Sequence, residues 1–592
     1  MKKTQYLLLL MVFAFSACND DFLERYPLDS INQQSFWNSA TDLKTYTSTF
    51  YFEAGNDFFY EFYMGHSDGL HKDTRSPDPY GSKTQGLIYQ DSKSDNLATT
   101  YKKLKWNYNL YKIGKQNIGS KPGAGSWHWG FLRLCNVFLE NYQKAEETDV
   151  VKNAYAGEAR LFRAWFYFDK VRKFGDVPWI GHSLNIDSPE LNKGRDPRAT
   201  VMDSVLVDLD YAIQWMPDDW GNGESPGHIN RWGALGIKSR ICLFEGTFRK
   251  YHGLPGAEKF LQEAANAAKE IIDGGQFSLA DNYGNMFIQK DFSGNPEVMI
   301  WRKYVDGING TFIVGYHTTY VSVTKDAVED YLCTDGLPIT LSPEYQGDSI
   351  IENVFLNRDF RLRATVLHPA DSKGIIYRNS NTYTFPRFPG MAGGNSRTGY
   401  MLRKFYDNEL DIAGYGHCEL AAIVLRYAEV QLNYAEAKAE LGTLTQADLD
   451  MTINEIRDRV GLPHMILNPP MDPKYASDGL SSNIIEIRRE RRAELMAEGF
   501  RYFDLLRWKW GEKLNVSSLG MRWEQAQIDR YPGASVKTIP AQDAWGNTHD
   551  YIDVFPSGSA LGDPDFDDKD YFWPTPLSVI AENPSLGQSP GW

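Results

Sequence analysis

Metal-ligand spacings are missing from this chain. Its five cysteines, Cys18, Cys135, Cys242, Cys333 and Cys418, are scattered, with no CxxC and no close Cys–His spacing. That excludes a zinc ribbon or finger and a dense disulfide framework. HExxH, GxxxxGK[ST] and a convincing GxGxxG are also absent, so no helix-borne zinc protease motif or phosphate-cradling loop is encoded. "GMAGG" at 390–394 is a flexible-loop signal only. Positive charge is in short supply: 62 Lys and Arg stand against 77 Asp and Glu, a formal net of −15. Nucleic acid is thereby excluded as a partner, and polyanionic substrates are disfavoured. Past the N-terminus no segment approaches the roughly 20 apolar residues that a membrane helix needs.

Aromatic rings are plentiful. The 16 Trp, 34 Tyr and 32 Phe make up 14% of the 592 residues. Large cores consume such rings, and flat ligands and sugar rings stack on them. The chain opens with Lys2 and Lys3, then the apolar "YLLLLMVFAF", then Ser16 and Ala17 directly before Cys18. A basic, apolar, small-residue sequence of this kind is a signal segment and stands outside the fold. It resembles a bacterial lipoprotein signal, with Phe15 where a Leu-type residue is usual. The resemblance makes 1–17 the signal peptide and Cys18 the lipid attachment point.

Helical periodicity dominates the rest of the chain. In "LRYAEVQLNYAEAKAELG", Leu425, Ala428, Leu432, Ala435 and Ala439 recur at three- and four-residue steps and stop at Gly442. "NAYAGEARLFRAWFYFDKVRKFG" shows the same pattern through Ala156, Ala159, Phe162, Ala164, Phe166 and Val171, stopping at Gly175. "RWGALGIKSRICLFEGTF", "EKFLQEAANAAKEIIDGG", "INEIRDRVG" and "SSNIIEIRRERRAELMAEG" predict further helices, with Ala allowing close approach and Cys242 as a small buried apolar residue. The fold class is mostly α: a single domain over 18–592, its helical scaffold at about 18–64, 128–280, 411–510 and 571–592. Stretches rich in Gly, Pro, Ser, Asn and Tyr occupy about 65–127, 281–410 and 511–570, with short strand-like pieces such as "EVMIWRKYV" and "TGYMLRKFY". Loops this long are usually functional.

"GHSDG" at 65–69 spells G-x-S-x-G around Ser67, but the breaker-rich "LHKDTRSPDPYGS" comes next, where a nucleophile elbow needs a helix. Glu490, Glu494 and Glu498 fall on one helix face, a geometry that suits a metal or an acid/base pair. The arginines around them, Arg488, Arg489, Arg491, Arg492 and Arg501, favour an ion-pair network instead. Loop aromatics remain: Trp106, Tyr108, Tyr111, Trp127, Trp129, Tyr316 and Tyr320, with Asn309 nearby. Rings beside Asn, Asp, Lys and Arg form a sugar-binding composition, and core packing under the loops is the competing explanation. Trp106, Tyr108, Trp127, Asn309, Tyr316 and Tyr320 are the candidate glycan contacts. Aspartates such as Asp68 and Asp73 keep a glycoside hydrolase among the alternatives.

Several blocks, in order, resemble the SusD/RagB family of outer-membrane lipoproteins of Bacteroidetes. "NDDFLERYPLDSINQQSFWNSATDL" is similar to the family's opening, with Phe36, Trp37 and Asp42. "GEARLFRAWFYFDKVRKFGDVPWI" carries Phe174 where Tyr is usual. "LRYAEVQLNYAEAKAELG", "INEIRDRVGLP" and "RRERRAELMAEGFRYFDLLRW" are similar to its later helices, and "WPTPLSVIAENPSLGQSPGW" to its close, with Thr575 in place of Ile. The resemblance implies a SusD-like fold of tetratricopeptide-type helix pairs with variable loops on one side. It implies a lipid-anchored, non-catalytic glycan binder on the cell exterior, where the acidic residues after Cys18 resemble an export signal. It also implies a SusC-like TonB-dependent transporter as partner, and no cofactor. A peptide or other non-sugar nutrient on the same scaffold is the alternative ligand. The family's binding residues lie in loops that match no motif here, so the candidate contacts rest on composition.

Overall fold

The computed structural model describes residues 36–52, 87–99, 127–221, 223, 226–308, 321–374, 376–377, 381–382, 386–391, 396–406, 417–556 and 563–592. Helices α1 (Ala40–Phe52), α2 (Leu87–Asp91), α3 (Gly130–Asn141), α4 (Asp149–Phe174), α5 (Arg198–Trp215), α6 (Arg231–Tyr251) and α7 (Ala257–Gly274) build the first part of the scaffold. The second part consists of α8 (Tyr427–Glu440), α9 (Ile453–Val460), α10 (Ser482–Glu494), α11 (Arg501–Arg507) and α12 (Leu577–Glu582). Consecutive helices pack as pairs, α4 on α5 and α6 on α7, and α7 and α10 both pack on α8.

The periodic segments become these helices for legible reasons. Helix α4 starts where the Thr148 hydroxyl accepts the Val151 N–H, carries Asp149 in its first turn and Arg172 and Lys173 in its last, and ends at Gly175 with φ 73°. Both charge placements complement the helix dipole. Helix α6 starts where the Asn230 side chain accepts the Gly233 N–H at 3.0 Å. Gly246 then lets α6 lie directly on α7, since a Cβ there would sit 2.8 Å from the Leu261 backbone nitrogen. On α7 the buried Phe260, Leu261, Ala264, Ala265, Ala268 and Ile271 form one apolar stripe.

Two boundaries differ from the periodicity. Leu425 and Arg426 belong to a strand, and α8 begins at Tyr427 with no intervening loop. Helix α10 stops at Glu494 and does not run on to Gly499. The Tyr283 hydroxyl and an Arg426 guanidinium N–H donate to the Glu494 carbonyl, and Lys404 donates to the Met496 carbonyl. Ala497 turns to φ 65°, and its N–H donates to buried Asp91. Distant side chains thus take the groups that further helical turns would have used.

Strands β1 (Leu97–Thr99), β2 (Val298–Arg302), β3 (Val321–Val323), β4 (Tyr400–Met401), β5 (Ala422–Arg426), β6 (Leu519–Arg522), β7 (Thr538–Gln542) and β8 (Thr548–Asp553) are short and pair antiparallel. Their sheets run β1–β3–β4, β2–β5 and β6–β8–β7. The helices enclose one apolar core, and the strands and loops enclose a second around Tyr283, Phe287, Val323, Tyr331, Phe388, Tyr400 and Met521. This is the mostly α architecture with few strands that the sequence predicts. Cys135, Cys242, Cys333 and Cys418 are buried thiols, and burial pushes the Cys242 thiol up. Among the described residues no helix is long and apolar enough to cross a membrane.

Candidate binding surfaces

The carboxylate row of Glu490 and Glu494 on α10, with Glu498 just beyond its end, is buried and closed to any ligand. Glu494 pairs with Arg426 at 2.6 Å, Arg459 at 2.5 Å and Arg361 at 3.0 Å. Glu490 pairs with Arg361 and Arg457, and Glu498 with Arg426 and Lys404. Burial works to raise the Glu494 carboxyl, but the guanidinium groups of Arg459, Arg426 and Arg361 hold it well below the usual range. The ion-pair reading holds, but the partners are not the flanking arginines. Arg491 turns to Asp504, Arg488 to Glu440, Arg501 to Asp95, and Arg492 to Asp95, Asp326 and Asp330. Sequence neighbours three and four apart were the legible candidates, and long-range partners fully buried beside the row displaced them. No cluster of three or more His, Cys, Asp or Glu among the described residues is placed to hold a metal ion.

A Ser–His–carboxylate string does occur. Ser48 Oγ lies 3.2 Å from His228 Nε2, and His228 Nδ1 lies 2.8 Å from Glu158. The Ser48 hydroxyl, however, donates to the Lys44 carbonyl at 2.7 Å inside α1. Its single proton is committed there, and the string serves to bind α1 to α4.

A cavity of about 610 Å³ opens between the start of α3, the segment at 178–193 and the chain's close at 579–586. That volume falls within the range of about 300–1,000 Å³ typical of small-molecule sites. Trp127 and Trp129 form one wall. Trp127 is buried, edge-on to Phe174 at 4.7 Å, and offers only a margin of its ring. Trp129 is half-buried and braced edge-on by Phe166 at 5.5 Å and Tyr167 at 6.1 Å. The opposite wall is held by Asn583, whose amide donates to the carbonyls of Leu191 and Lys193. Asn136 is likewise occupied with the Ile180 and His182 carbonyls. His182, Glu190, Asn192 and Glu582 also line the space, with His182 Nε2 3.6 Å from the Glu190 carboxylate. The cavity therefore offers an aromatic and aliphatic floor with polar groups at its edge.

A second surface was not legible as a candidate. Strands β7 and β8 form a hairpin whose tip, Asp543–Asn547, presents Trp545 with 57% of its surface exposed. The Asp543 carboxylate accepts the N–H groups of Trp545 at 2.9 Å and Asn547 at 2.8 Å, and Gly546 takes φ 84°. The indole lies 5.3 Å from the Tyr345 ring. A turn built of Asp, Gly and Asn around a tryptophan, "QDAWGN", was the one signal in the sequence. Of the predicted contacts, the structure places Trp127 at the cavity wall. Cys18, Ser67, Trp106, Tyr108, Asn309, Tyr316 and Tyr320 lie outside the described residues.

Helix pairs thus carry a second, loop-built core, with Trp545 at the surface and the acid row sealed by cations. Residues 289–592 match the model of the SusD family, and residues 83–243 match one described as "Starch-binding associating with outer membrane". The chain belongs to the SusD family. "SusD-like protein P2" of Formosa agariphila is 23% identical over 529 residues, covering 87% of this chain and 92% of the relative. A SusD-like protein of Bacteroides ovatus is 22% identical over 611 residues, covering 100% and 98%. The crystal structure of a SusD-like carbohydrate-binding protein from Bacteroides fragilis superposes with a TM-score of 0.70 at 22% identity, covering 93% of this chain and 100% of that one. The fold is SusD-like.

Proposed function

We propose that this protein captures oligo- or polysaccharide at the cell surface and passes it to a SusC-like TonB-dependent transporter, tethered to the outer membrane through lipidated Cys18. The observation that carries the carbohydrate reading is the Trp127–Trp129 cavity, in which an aromatic floor is rimmed by His182, Glu190 and Glu582. A ring face covers the C–H side of a pyranose, and rim groups bond its hydroxyls. The descriptions of the matched family and of the superposed carbohydrate-binding protein support the same ligand class. The sealing of Glu490, Glu494 and Glu498 by arginines and Lys404 supports capture over catalysis, because glycoside hydrolysis needs two carboxyls facing substrate in a cleft.

Titration calorimetry of the mature chain against neutral and charged glycans and a peptide panel tests this. Glycan dissociation constants between about 1 μM and 1 mM are expected, equivalent to about 4–8 kcal/mol. Trp129→Ala is expected to weaken binding about tenfold, with Trp106→Ala and Trp127→Ala as companion probes. Binding of peptides but of no glycan would overturn the ligand class. Release of shortened products by the purified protein would overturn capture without catalysis.

A further inference from the structure

Trp545 is the one tryptophan among the described residues that leaves more than half of its surface to solvent. Its mounting is rigid. Strand β8 pairs with β6 on one side and β7 on the other. The Tyr551 hydroxyl donates to Asp348 at 2.7 Å, and the Lys325 ammonium donates to the Gln542 carbonyl at 3.2 Å. The tip is closed by the Asp543 N–H donating to the Asn547 carbonyl at 2.9 Å and by the Gly546 N–H donating to the Asp543 carbonyl at 3.1 Å. Beneath the ring lies Gly347, where a Cβ would come within 2.9 Å of the indole edge. The indole is thus bedded on backbone and on Tyr345 and held in place before any ligand arrives. An immobilised ring loses little entropy on binding, which is the main cost a flexible loop would incur.

The surroundings specify what the ring would accept. Exposed amides stand at Gln346 and Asn547; each gives one N–H inward, to the Glu344 carbonyl and the Asp543 carboxylate, and keeps a second N–H and its oxygen for hydroxyls. Among the described residues the cations near the tip are already engaged: Arg358, buried against Tyr345, donates to the Val328, Val354 and Tyr331 carbonyls, and the others face carboxylates. His549 sits 3.0 Å from Glu524 and 3.4 Å from Asp543, and Arg522 sits 2.6 Å from Glu524. An anionic chain would meet the partly exposed Glu524 carboxylate, whose described cationic neighbours are already engaged with it. A neutral pyranose chain meets a ring face and two amides.

Resting on the carbohydrate reading of the protein, we infer that the Trp545 hairpin tip is a separate contact for neutral polysaccharide, stacking one pyranose of the chain on the indole. It is a binding platform only, and no bond is made or broken there.

The test uses the full mature chain carrying fluorotryptophan, with the Trp545 resonance assigned by its loss in Trp545→Phe. Starch, laminarin, galactan and mannan fragments serve as neutral probes, and polygalacturonate as the anionic one. The expected result is a shift of the Trp545 fluorine resonance with a neutral chain and none with polygalacturonate. Affinity for the same neutral chain is expected to fall at least fivefold in Trp545→Ala and to be largely retained in Trp545→Phe. The resonance is read on wild-type protein, so it does not depend on the variants folding. If the protein binds a glycan while the resonance stays fixed and Trp545→Ala binds equally well, the platform is overturned and the capture reading stands. A shift with polygalacturonate as large as with neutral chains would overturn the neutral specificity. If wild-type protein binds none of the glycans, the capture reading fails and the platform fails with it.

Discussion

Glu436 and His252 sit near each other in the helical core and make opposite demands on protons. Burial works to raise the Glu436 carboxyl, but Arg507, at 2.5 and 2.8 Å, overrides it and holds the group at about 2. Its contribution to stability is complete above the unfolded value of about 4.5 and is lost as pH falls toward 2. Burial pushes the His252 imidazole down to about 4, where it stacks on Phe248 at 3.9 Å and meets the Leu506 carbonyl. The unfolded chain takes up this proton near 6.5, so stability falls between about pH 6.5 and 4. Urea unfolding across pH should therefore show a first decline from 6.5 to 4 and a second from 4.5 toward 2. Glu436→Gln should flatten the second decline while lowering stability at pH 7, because buried Arg507 then keeps Asp504 as its one carboxylate partner. A second decline of unchanged steepness in that variant would show that other carboxylates set the acid limit.

The contact between α6 and α7 depends on Gly246. Any side chain there meets the Leu261 backbone, which cannot rotate away as a side-chain tip could. Gly246→Val should cost about 1–3 kcal/mol through overpacking, read as a lower unfolding midpoint in denaturant, whereas Ala439→Val, on the half-buried margin of α8, should cost less. Most helices were legible because their apolar period and their stops coincide, as at Gly175, Gly442 and Gly461, each with φ between 70° and 73°. The end of α10 was not legible, because it is decided by Tyr283, Lys404 and Arg426, far away in sequence. Strand β5 was hidden for a related reason: "LRYAEV" continues the helical apolar period, and pairing with β2 overrides it. The ring at Trp127 was legible by composition. Trp545 was not, because a lone aromatic in a turn becomes distinctive only when the hairpin beneath it is known.

At the scale of the whole molecule, the buried charges join the two cores. Arg361 and Lys404 come from segments of the loop-built core, Arg457 and Arg459 from α9, and the carboxylates Glu490 and Glu494 from α10. Glu297 and Arg426, paired at 2.7 Å, tie the β2–β5 ladder into the same network. Arg426→Met leaves Glu494, Glu498 and Glu297 short of a partner and should destabilise the fold by about 3–5 kcal/mol. Scanning calorimetry should show one endotherm for the wild-type protein and two for this variant, as the cores lose their common link. A single endotherm merely shifted to lower temperature would show that the cores are coupled by apolar contact instead.

Arg426 also ends β5, and Tyr427 begins α8 with no residue between them. Each residue of an α-helix advances the azimuth by about 100°. One residue inserted at this joint would rotate α8 by that angle against the strand, swinging Gln431, Asn433 and Glu436 away from Glu455, Arg491 and Arg507. One residue inserted at the tip between Asp543 and Asn547 would lengthen a turn that solvent already surrounds. Tolerance to length change is therefore concentrated where the molecule meets its surroundings. An inserted residue is expected to cost the fold far more at the strand-to-helix joint than at the hairpin tip, where it would re-aim Trp545 and leave the cores in place.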